Sequence, residues 1–320
     1  MAILIFFIST MTLLLLFAHS SCLYATEVDS FTNRLTLQKD STNELNNITN
    51  EFLKRCVDEA NDKSLTTLKE LYTSCTAILG GNLPWSPIEN FLNQTERIES
   101  RGEKRADSIY SLMNRRDGFA LYIASLGHTI RMGELIIGID KIGHFFQEGY
   151  SYYNSTYLND SGIRSALDSG EYQERTYYGL MTTGVYSYSD LNANFQGLLF
   201  WNSLTKTEFN EAEVFKPYII WKNNQWQQNP EHLFDWRVYV DAGMDESQNC
   251  NTYKTPAIQA KVDKRLNQLS LKTGVKMACP MSPVSCYEYV SKIRLLFPDY
   301  VHHLVSPFCL QSASAQANRE

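Results

Sequence analysis

Six cysteines, Cys56, Cys75, Cys250, Cys279, Cys286 and Cys309, follow an N-terminal apolar stretch that ends in small residues. The stretch, "MAILIFFISTMTLLLLFAHSSCLYAT", carries no acidic or basic side chain before Glu27. Its apolar run, residues 2–18, is short for a membrane span, which needs about 20 residues. It reads as a signal peptide over 1–25, cut after Ala25 or after Ser20, with an uncleaved anchor as the alternative. Cleavage after Ala25 removes Cys22 and leaves an even set of cysteines, which in an exported chain reads as a disulfide framework. Cys56 and Cys75 are close enough in sequence to pair locally, and the other four close the C-terminal part. Export to the periplasm or the extracellular space is therefore the expected localisation, with membrane contact only through an uncleaved N-terminus.

The 320-residue chain has a formal net charge of −6. A mild acidic excess without a basic stripe argues against nucleic acid as a partner. Periodicity predicts a mainly helical α+β fold. Leu45, Ile48 and Phe52 share one helical face. Leu65, Leu68, Leu71 and Tyr72 share another, with Ser64 as N-cap and Gly80-Gly81 as the stop. These two helices form an αα-hairpin over 26–82, stapled by Cys56 and Cys75. A main helical domain is expected over 83–310 and a polar tail over 311–320. "SPIENFL" offers Ser86 as N-cap, Pro87 at the first helical position and Glu89 as partner in a capping box. The charged run at 96–107 reads as a solvated helix or loop. "FALYIASL" at 119–126 is a strand candidate. "HTIRM" and "LIIGI" about Gly133-Glu134 predict a hairpin. "YIIW" within the irregular 205–236 segment is a short strand. Beyond it, short helices alternate with cysteine-bearing loops. The acids of "DWRVYVDAGMDESQN" (Asp235, Asp241, Asp245 and Glu246) read as the face of a solvated helix, with a distant ligand to the site as the alternative.

The stretch 138–153, "GIDKIGHFFQEGYSYY", carries the chemistry. Asp140, His144 and Glu148 stand at i, i+4 and i+8, about 40° apart around a helix, inside a row of aromatic residues. A buried imidazole and carboxylate must be paired or ligate something. Asp140, His144 and Glu148 are thus candidate ligands for a divalent metal, or His144 and Glu148 a catalytic acid–base couple. The alternatives are a helix-start role for Asp140 and a packing role for the His–Glu pair. Asp190 and Asn194 repeat the spacing on a second helix begun by Ser187 or Ser189, and Gly197 beyond them permits close approach of a backbone or ligand. Convergence of His144, Glu148, Asp190 and Asn194 on one site requires the two helices to pack face to face. Tyrosines crowd 150–188, which suits a cleft for sugars or peptides as well as a packed core.

"DKIGHF", with Asp140, Lys141, His144 and the aromatic Phe145, resembles the Asp-Lys-x-x-His core of VanZ-like envelope proteins. The resemblance covers fewer than about twenty residues. It implies an exported bacterial envelope protein and brings no reaction with it. "ERTYYGLM…SDLNANFQG" is similar in order to lytic transglycosylases, through Glu174, Gly179 to Met181, Asp190 and Asn194. Glu174 lies much nearer its Gly than in that family, and Thr182 stands where the family has Gln. That second resemblance implies Glu174 as general acid on a peptidoglycan substrate. Two functions follow as expectations: an envelope or secreted protein with a binding or structural role and an envelope or glycan ligand, or a hydrolase.

Overall fold

The structure, a computed structural model, describes residues 27–81, 86–206, 208–209 and 214–317. The expected leader and part of the 205–236 segment lie outside the described residues. The fold is mainly helical with a few small antiparallel sheets, as the periodicity predicts. None of the described helices is long and apolar enough to cross a membrane.

Helix α1 (Thr42–Asp62) and helix α2 (Leu68–Leu79) form the expected hairpin, joined by the Cys56–Cys75 disulfide with Cα atoms 4.8 Å apart. The cap of α2 is Thr67 rather than Ser64: its hydroxyl accepts from Glu70 N, and Glu70 returns the bond in a full capping box. Ser64 instead takes a left-handed backbone in the turn, and Leu68 is left exposed at the helix start. Helix α3 (Pro87–Gln94) starts at Ser86 as predicted. The charged run that follows contributes β1 (Ser100–Gly102) as the outer strand of a three-stranded sheet. The 119–126 segment is not a strand. It forms one turn of helix, α4 (Ala120–Ile123), tied by Ala120 N to Thr182 O. An apolar run this short fixes no period, and tertiary bonding decided it.

Strands β2 (His128–Met132) and β3 (Leu135–Gly138) make the expected hairpin, with Ile130 opposite Ile137 and Gly133 at φ +59° in the turn. Gly138 leads directly into α5 (Ile139–Tyr153). After α6 (Gly162–Arg175) and the two residues of β4 (Val185–Tyr186) comes α7 (Tyr188–Ser203), capped by Ser187. Two short antiparallel pairs follow, β5 (Glu208–Phe209) with β6 (Val214–Phe215) and β7 (Ile219–Lys222) with β8 (Gln225–Gln228). Strand β9 (Thr252–Tyr253) pairs back with β4. The C-terminal part holds α8 (Pro256–Thr273), α9 (Pro283–Leu296), α10 (Val301–Leu304) and α11 (Pro307–Ala317). The expected polar tail belongs to α11 as far as Ala317, and Ala313 is buried. Cys250–Cys279 and Cys286–Cys309 staple this region.

Helices α5 and α7 form the centre. The α1–α2 hairpin shares one apolar core with them, through Phe52, Tyr72, Phe145, Phe146 and Trp201. Helices α9 to α11 pack on the other side of α7. The axes of α5 and α7 come closest at Gly149 and Gly197: a methyl group on Gly149 would stand 2.6 Å from Gly197 Cα, and one on Gly197 would strike Phe145 O. The close approach expected of Gly197 is that of a second helix.

Candidate functional site

The two i, i+4 pairs meet across the α5–α7 seam in matched order, 140 near 190 and 144 near 194, so the helices run in the same direction. His144 Nε2 lies 3.3 Å from Asp190 Oδ2, and His144 Nδ1 lies 3.0 Å from Asn194 Oδ1. Lys141 is the hub beneath. Its Nζ contacts Asp190 Oδ1 at 2.6 Å, Glu246 Oε1 at 2.6 Å and Asp140 Oδ2 at 2.8 Å. Its side chain is 1% exposed, whereas those of Asp140, Asp190 and His144 are 12%, 15% and 24% exposed. The inner half of the cluster is sealed and the outer half meets solvent.

Asp140, His144 and Asp190 each offer a ligand atom, and these atoms all lie within 4.8 Å of one another. That is the size of site a small divalent cation takes with one imidazole and two carboxylates. Asp190 therefore stands where the sequence suggested Glu148. Glu148 makes no hydrogen bond to His144; the helical spacing put them on one face, but His144 turns across the seam to α7. Burial raises the Glu148 carboxyl pKa, partly offset by the nearby imidazole. Among the described residues no hydrogen-bond partner for that carboxyl is seen.

Two acids near the hub come from segments read otherwise in the sequence. Residues 235–251 are no solvated helix: they fold as two 3₁₀ turns and loops, with Asp245 and Glu246 buried. Asp245 accepts from Ile136 N and Ser247 and pairs with Arg34, while Glu246 reaches Lys141. Glu89 does not complete a capping box. Its carboxyl turns inward against Gly143, where any Cβ would collide with it, and it is 8% exposed. Gly143 on the inner face of a helix was the available sign of a close neighbour there.

Glu174 is 5% exposed, and its Oε2 accepts from Ser187 N at 3.1 Å, so it braces the start of α7. Its burial owes little to Tyr177, which is half exposed. Ser187 Oγ donates to Asp190 Oδ1 at 2.9 Å, fixing that carboxylate from behind.

Six carboxyls, those of Glu27, Glu89, Asp140, Glu174, Asp190 and Glu246, interact electrostatically with Lys141. Like charges this near cannot all ionise. Burial, then the Asp140 charge, pushes Glu89 up to about 9. Burial raises Glu246 to about 7 although Lys141 opposes it. Burial also raises Asp140, Glu174 and Glu27. Asp190 moves the other way: burial is outweighed by Lys141 and His144, and its pKa falls. Burial disfavours the Lys141 charge, but the surrounding acids outweigh that and hold its pKa well above the ordinary value.

Searches of known protein families, of curated proteins and of solved structures found no match to this chain.

Proposed function

We propose that the protein is exported to an oxidising compartment and that Asp140, His144 and Asp190 bind a divalent cation there for hydrolytic chemistry. All six cysteines after residue 25 are paired, which supports the compartment. One observation carries the metal reading. Asn194 Oδ1 can only accept, so His144 Nδ1 carries a proton and Nε2 is the ring nitrogen that faces Asp190 Oδ2, at 3.3 Å. A ring nitrogen this close to a carboxylate needs a cation or a proton between them, and the exposed outer side of the cluster leaves room for the cation. Asn194 acts as the outer partner that metal-bound imidazoles require, and Lys141 and Ser187 orient Asp190.

A bound ion supplies acidity to water at its open positions. Glu148, one turn beyond His144 and held above its ordinary pKa, would be the residue placed to accept a proton there. The ring of Tyr178 lies within electrostatic reach of Glu148, and Tyr177 packs against Tyr178 with centroids 4.7 Å apart. Rings so placed suit a saccharide or peptide of the cell envelope as substrate.

A second reading has its own support. Lys141 is sealed with three carboxylates on its three donors, as in a network that only fixes packing. Metal content separates the two. About one equivalent of zinc or another divalent ion in the purified protein, lost in a His144→Ala variant that still unfolds cooperatively, is the expected result. Absence of metal from a protein prepared without chelator and then offered zinc, nickel and manganese, together with a strongly destabilised His144→Ala, would establish the packing network instead.

A further inference from the structure

The charged run at 96–107 and the short helix α4 carry an inference that owes nothing to the metal site. Helix α4 buries Ala120 and Leu121 and turns its other side outward, where Phe119, Tyr122 and Ile123 are 40%, 40% and 57% exposed. The hydrogen bond from Ala120 N to Thr182 O, 3.1 Å long, holds the 176–183 turn beside α4, and that turn leaves Tyr177 and Met181 more than half exposed. Apolar side chains scattered singly over a surface need no explanation, but a group of them rimmed by polar residues marks an interaction site.

The rim is basic. Residues 101–116 hold five cations, Arg101, Lys104, Arg105, Arg115 and Arg116, against two acids, Glu103 and Asp107, in a chain whose net charge is −6. The Arg105 guanidinium lies over the Tyr122 ring, 4.0 Å from its centroid, and both side chains donate to Met113 O. Arg115 and Arg116 are exposed in the turn that Asp117 closes on Asn114 N, just before Phe119. Consecutive Cα atoms are about 3.8 Å apart, so neither can stray far from the patch. The Asp117 carboxylate is taken by Lys261 of α8. Arg101 leans on Glu99 at 3.6 Å, but Lys104, Arg105, Arg115 and Arg116 have no acid within ion-pair distance among the described residues. Next to Ile123, between residues 102–105 and 124–128, lies a cleft of about 410 Å³ whose wall holds Lys104, Arg105, Ser125 and His128 beside Glu103.

We propose that this face docks on an anionic phospholipid bilayer: Phe119, Tyr122 and Ile123 enter at the headgroup level, Arg115 and Arg116 pair with lipid phosphates, and the cleft at Lys104 and Arg105 receives a headgroup. The two features need each other. A purely electrostatic partner gives the exposed apolar side chains nothing, and a purely apolar one gives the unpaired cations nothing; a bilayer with anionic headgroups takes both. Tyr122, with an apolar ring and a bonded hydroxyl, suits the boundary. The chain as a whole is acidic, so an anionic surface repels most of the molecule and attracts this face, which sets the orientation of approach. None of the described helices is long and apolar enough to cross a membrane, so the contact made by this face is peripheral.

The test is sedimentation of the chain, purified as its host produces it, with vesicles of phosphatidylcholine alone or mixed with phosphatidylglycerol, at low and at high salt. Wild type should partition onto the mixed vesicles in preference to the neutral ones and be released by salt. Each cation at such a surface adds about fivefold to partitioning, so Lys104→Gln with Arg115→Gln and Arg116→Gln should weaken it by on the order of a hundredfold. Phe119→Ser with Ile123→Ser should weaken it by roughly tenfold or more. All five side chains are exposed, so both variants should keep the wild-type Tm. No partition onto the mixed vesicles overturns the proposal. So does equal partition onto both kinds of vesicle that neither variant changes, which would put the contact in the N-terminal apolar stretch. Loss in the cation variant alone, with the Phe119→Ser and Ile123→Ser chain binding like wild type, would make this a face for soluble polyanions and overturn the bilayer. Release by inorganic phosphate at matched ionic strength would make the cleft a free-anion site and overturn it too.

Discussion

The α1–α2 hairpin and the α5–α7 seam use charge in opposite ways. In the hairpin the apolar stripe faces inward and ion pairs such as Lys54–Asp58 and Lys63–Glu59 stand in solvent at i, i+4 spacing. In the seam, the glycines bring two backbones together and the charges lie inside, around one lysine. Exposed pairs add little because water screens them and holding two long side chains costs entropy. Buried charges must be matched, because an unpaired one keeps its full desolvation penalty. Loss of a charge should therefore cost the first region little and the second much.

The largest expected effect is at the hub. Lys141→Ala leaves Asp140, Asp190 and Glu246 without their shared cation and should cost about 3–5 kcal/mol in urea unfolding. A loss no larger than that of a surface lysine would abolish the contrast. Next comes the hairpin's own staple. Cys56→Ser with Cys75→Ser should cost about 2–4 kcal/mol and leave the metal binding proposed for the seam unchanged; parallel loss of that binding would show that the two regions are one cooperative site.

Glu89→Gln sharpens the comparison through pH. The folded pKa of Glu89 is pushed up to about 9 by burial and by Asp140. In the unfolded chain it titrates near 4.5. Between those values the unfolded chain has released a proton that the folded chain keeps, so this group makes wild-type stability fall as pH rises. The glutamine variant lacks that term. Measured at pH 5 and pH 8.5, it should gain on wild type by at least about 2 kcal/mol; parallel stability curves would mean Glu89 is not confined as described. The smallest effect belongs to the surface. Lys63→Ala should change stability by about 0.5 kcal/mol or less, and a larger loss would mean that the exposed pairs also hold the hairpin together.

Helix α5, the β2–β3 turn, the Ser187 cap and the Asp190–Asn194 face were legible because each is written within a few consecutive residues. Gly197 was legible as a point of close approach, since an inward helical glycine has few other uses. Glu89 was hidden by a local pattern that explained it completely: Ser86, Pro87 and Glu89 look like a helix start, and nothing nearby says the carboxyl turns inward. Glu246 was hidden by its neighbours, a run of acids and amides whose burial comes from contacts with residues far away in sequence. The pairing of His144 with Asp190 in place of Glu148 belongs to the same class. Spacing fixes which face a side chain leaves from, and packing fixes which neighbour it meets.

The three disulfides join Cys56 to Cys75, Cys250 to Cys279 and Cys286 to Cys309, each cysteine to the next one along the chain. Six cysteines admit fifteen pairings, and this is the one in which each joins the next along the chain, the pairing that sequential oxidation of the six would give. If the chain is exported N-terminus first into an oxidising space, as proposed above, order of emergence alone would favour these three bonds.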